Sequence, residues 1–512
     1  MPILDTFKRV ISKRPSLLLM LAMLIFAGFA TAQEEIVVRT WDDFSGADPA
    51  SIQAIQNEML ARNVYSGLVD YDVDTYEIIP DLALQWEVSD DGTTYTFELR
   101  EDVTWHKGFG EFTAADVKYS FERIMDPETA SRFAGVFSGI VSIETPNPHT
   151  VVIELEEPDA TFLHKLTNLR QGSIVNQAAV EEFGDDYAFN PIGTGPFVFE
   201  AWSPGGDIVL QRHEDYFRGP APTETIVLRV IKEQSTAEAA LIRGEIDVFY
   251  YLTDPDVYER LTQAEDFQIV SDVGSYALGL FINARNEPLT DPLVRQAVAY
   301  GINRDAIAQD FFKGLMTRVD SPIPPGVPGH AEDTMSYDYD PERAQELLAE
   351  AGYPDGVGIN LVTLTSFPFD QLGTIIAGDL ERVGINVDLE VLDRGAFTAA
   401  RSSGTPDTVI GSFAAPPDAA AQLMGLFHSS SKSPGLNVSW YDDIDDLLAE
   451  AAQESDDERR LALYGEAQQI VMDDMIFLPL YTHQSTAALQ PDIRGYSENS
   501  SRHVWLYHVR RE

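Results

Sequence analysis

Segments with the two-residue period of strands alternate with segments of helical period along almost the whole chain, and this alternation restricts the fold more than any single motif. Residues 94–100 place Tyr95, Phe97 and Leu99 on one face behind an Asp90-Asp91-Gly92 turn. Thr113 then opens a helix: Asp116 completes a capping-box variant, and Val117, Phe121 and Ile124 form one stripe. Asp291-Pro292 and Asp340-Pro341 each set an N-cap before a proline at the first helical position. The second of these helices carries Ala344, Leu347, Leu348 and Ala351 to a terminal Gly352. Ser455 with Glu458 predicts another capped helix, bearing Leu461, Tyr464, Ala467, Ile470 and Val471, and short strands fall at 359–364 and 387–392. Strands alternating with helices predict α/β lobes. No repeat, low-complexity tract or long linker separates them, so the domains interleave through short crossings. The proline-rich stretch 321–326 reads as an extended surface segment.

Of the 512 residues, 44% are hydrophobic, enough for several large cores. The charge is lopsided: 83 acidic against 35 basic side chains, a net of −48. Phosphate-tracking nucleic-acid binders draw their affinity from Lys and Arg, so that class is excluded, and anionic membrane surfaces are disfavoured for the same reason. With no cysteine there is no disulfide framework, thiolate metal site, thiol nucleophile or thioether lipid anchor. The N-terminus has a basic cluster (Lys8, Arg9, Lys13, Arg14), an apolar run from Leu17 to Ala30, and small residues Ala30-Thr31-Ala32 before Gln33. This is the order of a secretory signal peptide cleaved after Ala32, and the run is shorter than the ~20 residues that span a bilayer. The expectation is an exported periplasmic protein without a lipid anchor.

Catalytic motifs are weak throughout. Gly193-Thr194-Gly195 begins like a dinucleotide loop, but Val198 stands at the third glycine position and Pro196 intervenes. Ser429 and Lys432 have the Ser-x-x-Lys spacing of acyl-serine enzymes without an accompanying Lys-Thr-Gly. His213-Glu214-Asp215 lacks a spaced second histidine for a metal and reads as a solvated turn. The Asn437-Val438-Ser439 sequon carries little information. Carboxylate pairs at glycosidase separation could arise from this many acids, which leaves a secreted carbohydrate hydrolase as the enzyme alternative.

Val64-Tyr65-Ser66-Gly67-Leu68-Val69, Pro80 to Glu87 and Asp91 to Arg100 together resemble the signature of the family 5 extracellular solute-binding proteins, the peptide and nickel binding components of ABC importers. The resemblance continues through Phe112 to Val117, Ser120 to Arg123, Pro191 to Phe197, Arg295 to Tyr300, Arg343 to Gly352 and Pro479-Leu480-Tyr481. It implies a periplasmic-binding-protein fold: two α/β lobes joined by a two-strand hinge, with an extra domain inserted in the first lobe. Carried over, residues 33–65, 188–284 and 479–512 form the first lobe, 66–187 the inserted domain and 285–478 the second lobe. Hinge crossings are expected near Asn283 and from Tyr481 to His483.

The same resemblance implies a function without a chemical step, enzymatic cofactor or protein-held metal. A monomer captures a small ligand between its lobes and delivers it to the membrane subunits of an ABC permease, the ligand being a peptide or else an oligosaccharide or metal chelate. Ligand contacts are implied for Gln53 and Ile55 in the loop after the first strand, Phe133 in the inserted domain, and Ser275 beside the hinge. The second lobe adds Arg394, Arg401 and the loop containing Ser412, Phe413 and Ala415. Peptide binders carry Gly-Trp-x-x-Asp in that loop, the aspartate pairing with the ligand ammonium. Here Ser412 replaces Trp and Ala415 replaces Asp, so a buried ammonium needs another carboxylate, for which Asp418 is the candidate.

Overall fold

The computed structural model describes residues 35–512, apart from 53–54, 73–76, 160, 413–417, 434, 455 and 499–503, and apart from the side chains of 55, 273, 276, 483, 484 and 498. The predicted signal segment, Gln53, Phe413 and Ala415 therefore lie outside the described residues. Among the described residues, no helix is long and apolar enough to cross a membrane.

An eleven-stranded mixed sheet runs through the molecule. Glu35–Thr40 pairs in parallel with Thr225–Val230 on one side, and Val357–Leu364 pairs in parallel with Ile385–Leu392 on the other. Between these ends, two long antiparallel strands, Gln268–Ile282 and Phe477–Leu489, tie the halves together. Their register is continuous from Gln268 to Val273, slips between Val273 and Ala277, and shifts once more between Leu278 and Gly279. On one side of the slip Ala487 and Leu489 enter a core shared with Ile36 and Val38; on the other, Leu278, Leu280, Leu478 and Leu480 enter a second core with Ile359 and Leu361. Alternate residues of the same strands also feed two flanking cores, as two-faced burial of a sheet requires.

The inserted domain is a four-stranded antiparallel sheet in the order Ala83–Val88, Thr94–Leu99, Thr150–Leu155, Ile140–Asn147. Tyr95, Phe97 and Leu99 are buried as their alternation predicts, against Val117, Phe121 and Ile124 of helix Ala114–Met125. The Asp116 carboxylate accepts the Thr113 N–H at 2.8 Å, the reciprocal arm of a capping box. Asp291 and Asp340 cap helices Pro292–Gly301 and Pro341–Glu350 as expected.

Three local expectations fail. The last long helix, Asp457–Asp473, is capped by Asp456, whose side chain accepts from Arg459 N, and Ser455 lies outside the described residues. Its buried stripe includes Leu463 and Met472, while Leu461 is 39% exposed, because this helix is covered on more than one side. Residues Ser321, Pro322, Ile323 and Pro324 are buried rather than on the surface: Ser321 Oγ donates to Gln468 Oε1 at 2.7 Å, docking the segment on that helix. His213 is buried too, for reasons given below.

Candidate functional site

The inserted domain meets the first lobe without a gap. Its apolar residues belong to the same core as Val64, Tyr65 and Ile192. The loop Gly193-Thr194-Gly195 presses on the end of helix Ile55–Val64, where a Cβ at Gly193 would stand 1.9 Å from the Val64 carbonyl oxygen. Close backbone approach, not phosphate binding, explains these glycines. His106 Nε2 and His213 Nδ1 both donate to the Gly195 carbonyl, at 2.9 and 3.1 Å, and His106 Nδ1 accepts from Gly193 N–H at 3.3 Å. Burial, then the neighbouring His213, lowers the His106 pKa to about 3, so it holds this loop as a neutral ring. Ion pairs close the same junction. Arg123 grips Asp48 bidentately at 2.8 and 2.6 Å, and Arg170 pairs with Glu58. Ser131 Oγ also donates to the Ala50 carbonyl at 2.9 Å. The loop expected to face ligand is thereby fixed to the inserted domain.

Between the inserted domain and the second lobe lies a cavity of about 460 Å³. One wall carries Val136, Asp159, His164, Lys165, Asn168 and Gln171; the other carries Asp418, Ala420, Ala421, Met424, Leu448 and Tyr464. Asp418 caps helix Ala419–Phe427, accepting from Ala420 N at 3.0 Å and Ala421 N at 3.2 Å, so its carboxylate is fixed at the rim by the helix start. Opposite, His164 Nδ1 and Tyr71 Oη are hydrogen bonded at 3.1 Å. Burial lowers the His164 pKa, opposed by Asp418 and Asp457 and assisted by Arg460. Burial, with Asp418 next, pushes the Tyr464 hydroxyl up to about 12. Asp159 is held below the usual carboxylate range: burial acts against this, but Lys165 at 2.6 Å and Thr161 prevail.

The other expected site residues disperse around this cavity. Phe133 is half-buried against the first core with the Arg170 guanidinium over its ring, and Val136 follows it in the short helix Ala134–Phe137. Ile55 begins helix Ile55–Val64. Ser275 lies fully buried inside the register slip, its carbonyl accepting from Gln422 Nε2 at 2.6 Å. Ser412 ends strand Thr408–Ser412 beside Leu278. Arg394 is exposed at the start of helix Arg394–Ser403, and Arg401, on that helix, is half-buried with its pKa lowered by burial; neither lines the cavity.

Of the residues expected at the crossings, Asn283 and Tyr481 lie among second-lobe contacts and His483 lies at the level of the slip. Asn283 lies past the end of the long strand, buried among second-lobe backbone: its Nδ2 donates to Gly404 O at 3.0 Å and Pro406 O at 3.3 Å. Tyr481 is a member of the second core, its hydroxyl bonded to Arg304 O at 2.9 Å. His483 pairs with Met316 at the slip level. Sequence reading missed His164, Asn168 and Gln171. His164 stands on Phe162–Leu166, and Gln171 on Leu169–Gly172 with Asn168 as its N-cap, helices too short to show a period. Among the described residues no group of three or more His, Asp or Glu side chains is placed to hold a metal ion.

Two α/β lobes joined by a pair of continuous strands, with a cavity walled from both sides, define the class of two-lobed solute-binding proteins. The sequence profile described as "Bacterial extracellular solute-binding proteins, family 5 Middle" matches residues 77–434, and the chain belongs to that family. It is 28% identical to the glutathione-binding protein GsiB of Escherichia coli O1:K1 / APEC, over 93% of this chain and 94% of that protein. Among solved structures it is similar to the periplasmic binding protein DppA from Helicobacter pylori in complex with the peptide STSA. The identity there is 30% and the TM-score 0.78, over 93% and 98% of the two chains. HbpA2 from Haemophilus parasuis superposes with TM-score 0.86 at 25% identity, over 93% and 100%. The protein is thus a family 5 solute-binding protein of the ABC importer type, and its relatives are binding proteins.

Proposed function

We propose that this chain is the periplasmic receptor of an ABC importer for a peptide or peptide-like solute, exported by its N-terminal segment and without catalytic activity of its own. The observation that carries the reading is the cavity of about 460 Å³ walled by the inserted domain and the second lobe. A ligand there touches both bodies, so it stabilises the closed arrangement through contacts that the open arrangement lacks. The lobes rotate at the slip between Val273 and Ala277 and at the facing stretch of residues 482–484, where the ladder is already interrupted. On this reading the first lobe ends, and the second begins, inside that slip rather than at 284. Gln422 links the two events: it projects from the helix that Asp418 caps and bonds the Ser275 carbonyl within the slip. Seating a ligand against that helix therefore acts on the crossing. Asp418 takes the ammonium role that Ala415 cannot fill, since its carboxylate faces the cavity and makes no ion pair among the described residues.

A membrane permease would read the closed form, and ~5.5 kcal/mol of differential binding carries a two-state closure from 1:99 to 99:1. Native mass spectrometry of the purified protein tests the reading. Peptide masses released from the protein are the expected result, and a discrete retained sugar or metal-chelate mass would overturn the peptide assignment.

A further inference from the structure

We infer that Lys313 is an ionic latch between the lobes, placed on the flank of the crossing strands, and that it makes closure of the receptor respond to ionic strength. The inference rests on the receptor reading and on rotation at the slip. Lys313 Nζ reaches two carboxylates, Asp256 Oδ1 and Glu259 Oε2, each at 2.6 Å. The cation and its partners belong to different bodies. Asp256 and Glu259 stand on helix Pro255–Ala264, whose Val257 and Leu261 pack with Val37, Val227 and Ala488 in a core flanking the first-lobe sheet. Phe312, next to Lys313, is fully buried in the second-lobe core. Among the described residues no other ion pair joins residues 285–478 to the rest of the chain.

The turn that carries Lys313 is tied to the crossing itself. The Phe312 ring lies edge-on to Tyr481 at 5.0 Å, and strand Met316–Arg318 pairs with residues 481–483. Rotation of the second lobe at the slip therefore moves Lys313 against helix Pro255–Ala264. Lys313 has φ 52° and Gly314 φ 84°, two consecutive left-handed residues. Lysine takes that conformation only against steric resistance, and here it directs the ammonium group across to the first lobe. The groups stay in contact with solvent: side-chain exposure is 29% for Lys313, 69% for Asp256 and 43% for Glu259. Exposed pairs are individually weak and screened by salt, so the latch shifts the balance of open and closed arrangements without locking it. Both lobes are acidic, so screening their mutual repulsion favours closure, whereas screening at Lys313 favours opening.

The chain has no cysteine, so exposed Val141 in the inserted domain and exposed Val391 in the second lobe can be exchanged for cysteine and spin-labelled without competing thiols. Double electron–electron resonance on the ligand-free protein then reads the distance across the cleft. Lys313→Met, which keeps the apolar stem and removes the charge, is expected to raise the ratio of open to closed about two- to tenfold. Asp256→Asn combined with Glu259→Gln should do the same, and joining all three substitutions should add nothing further, because each removes the same interaction. In about 1 M NaCl the wild type and Lys313→Met should become alike. Two arrangements whose ratio ignores these substitutions, or effects that simply add, overturn the latch and leave rotation at the slip standing. One fixed distance shared by the wild type and every variant overturns the rotation and the latch together, while the retained ligand mass still reports on the receptor role independently.

Discussion

The inserted domain has two junctions of opposite character. Toward the first lobe it shares one apolar core, presses glycine backbone against the Val64 carbonyl and locks a loop with the Arg123–Asp48 pair. Toward the second lobe it presents a cavity lined by His164, whose pKa burial lowers, and faced by the helix-capping carboxylate of Asp418. A close-packed junction has no second arrangement available, whereas one built around a void and a few polar contacts costs little to open. On the proposed receptor reading, the inserted domain and first lobe move as one body and the second lobe moves against them.

Substitutions at the two junctions should separate cleanly. Gly193→Ala is expected to give the largest loss, about 4 kcal/mol or more in urea unfolding or no folded protein at all, since the new Cβ meets backbone that cannot yield. Acidification acts on the same junction. The folded His106 pKa of about 3 lies below its unfolded value of ~6.5, so its contribution is complete above pH 6.5 and is lost as the pH falls toward 3. The slope is about 1.4 kcal/mol per pH unit, and His106→Gln should flatten the dependence of the urea midpoint on pH over that window. Arg123→Ala should cost about 3 kcal/mol by leaving Asp48 without its partner in a mostly buried position, and should loosen the loop after the first strand, read by hydrogen exchange at residues 47–52. At the second junction Ala421→Phe should change unfolding stability by less than about 0.5 kcal/mol while altering ligand preference. A loss there as large as at Arg123 would erase the contrast between the two junctions.

Much of this was legible in the residues. The capped helices at Asp291 and Asp340 and the alternating strand at Tyr95 follow from local chemistry, which acts over a few residues. Asp418 was legible as a candidate because the loop before it lacks the usual acid, but its role as a helix cap facing a cavity was not. His213 shows the limit most clearly: beside Glu214 and Asp215 it reads as solvated, yet it is buried because His106, 107 positions away, shares the same carbonyl. Residues 321–324 of the proline-rich stretch are buried for the same kind of reason, a partner at Gln468 that no local pattern announces.

By itself the sequence determined the α/β class, the absence of thiol chemistry, the acidic surface and the order of elements, because period, capping and charge are properties of neighbouring residues. Only the tertiary structure decided which junction is closed and which is open, where the two long strands slip, and which side chains face the cavity. Those depend on contacts between residues such as Gln171 and Met424, more than 250 positions apart, and on a space that no single segment contains.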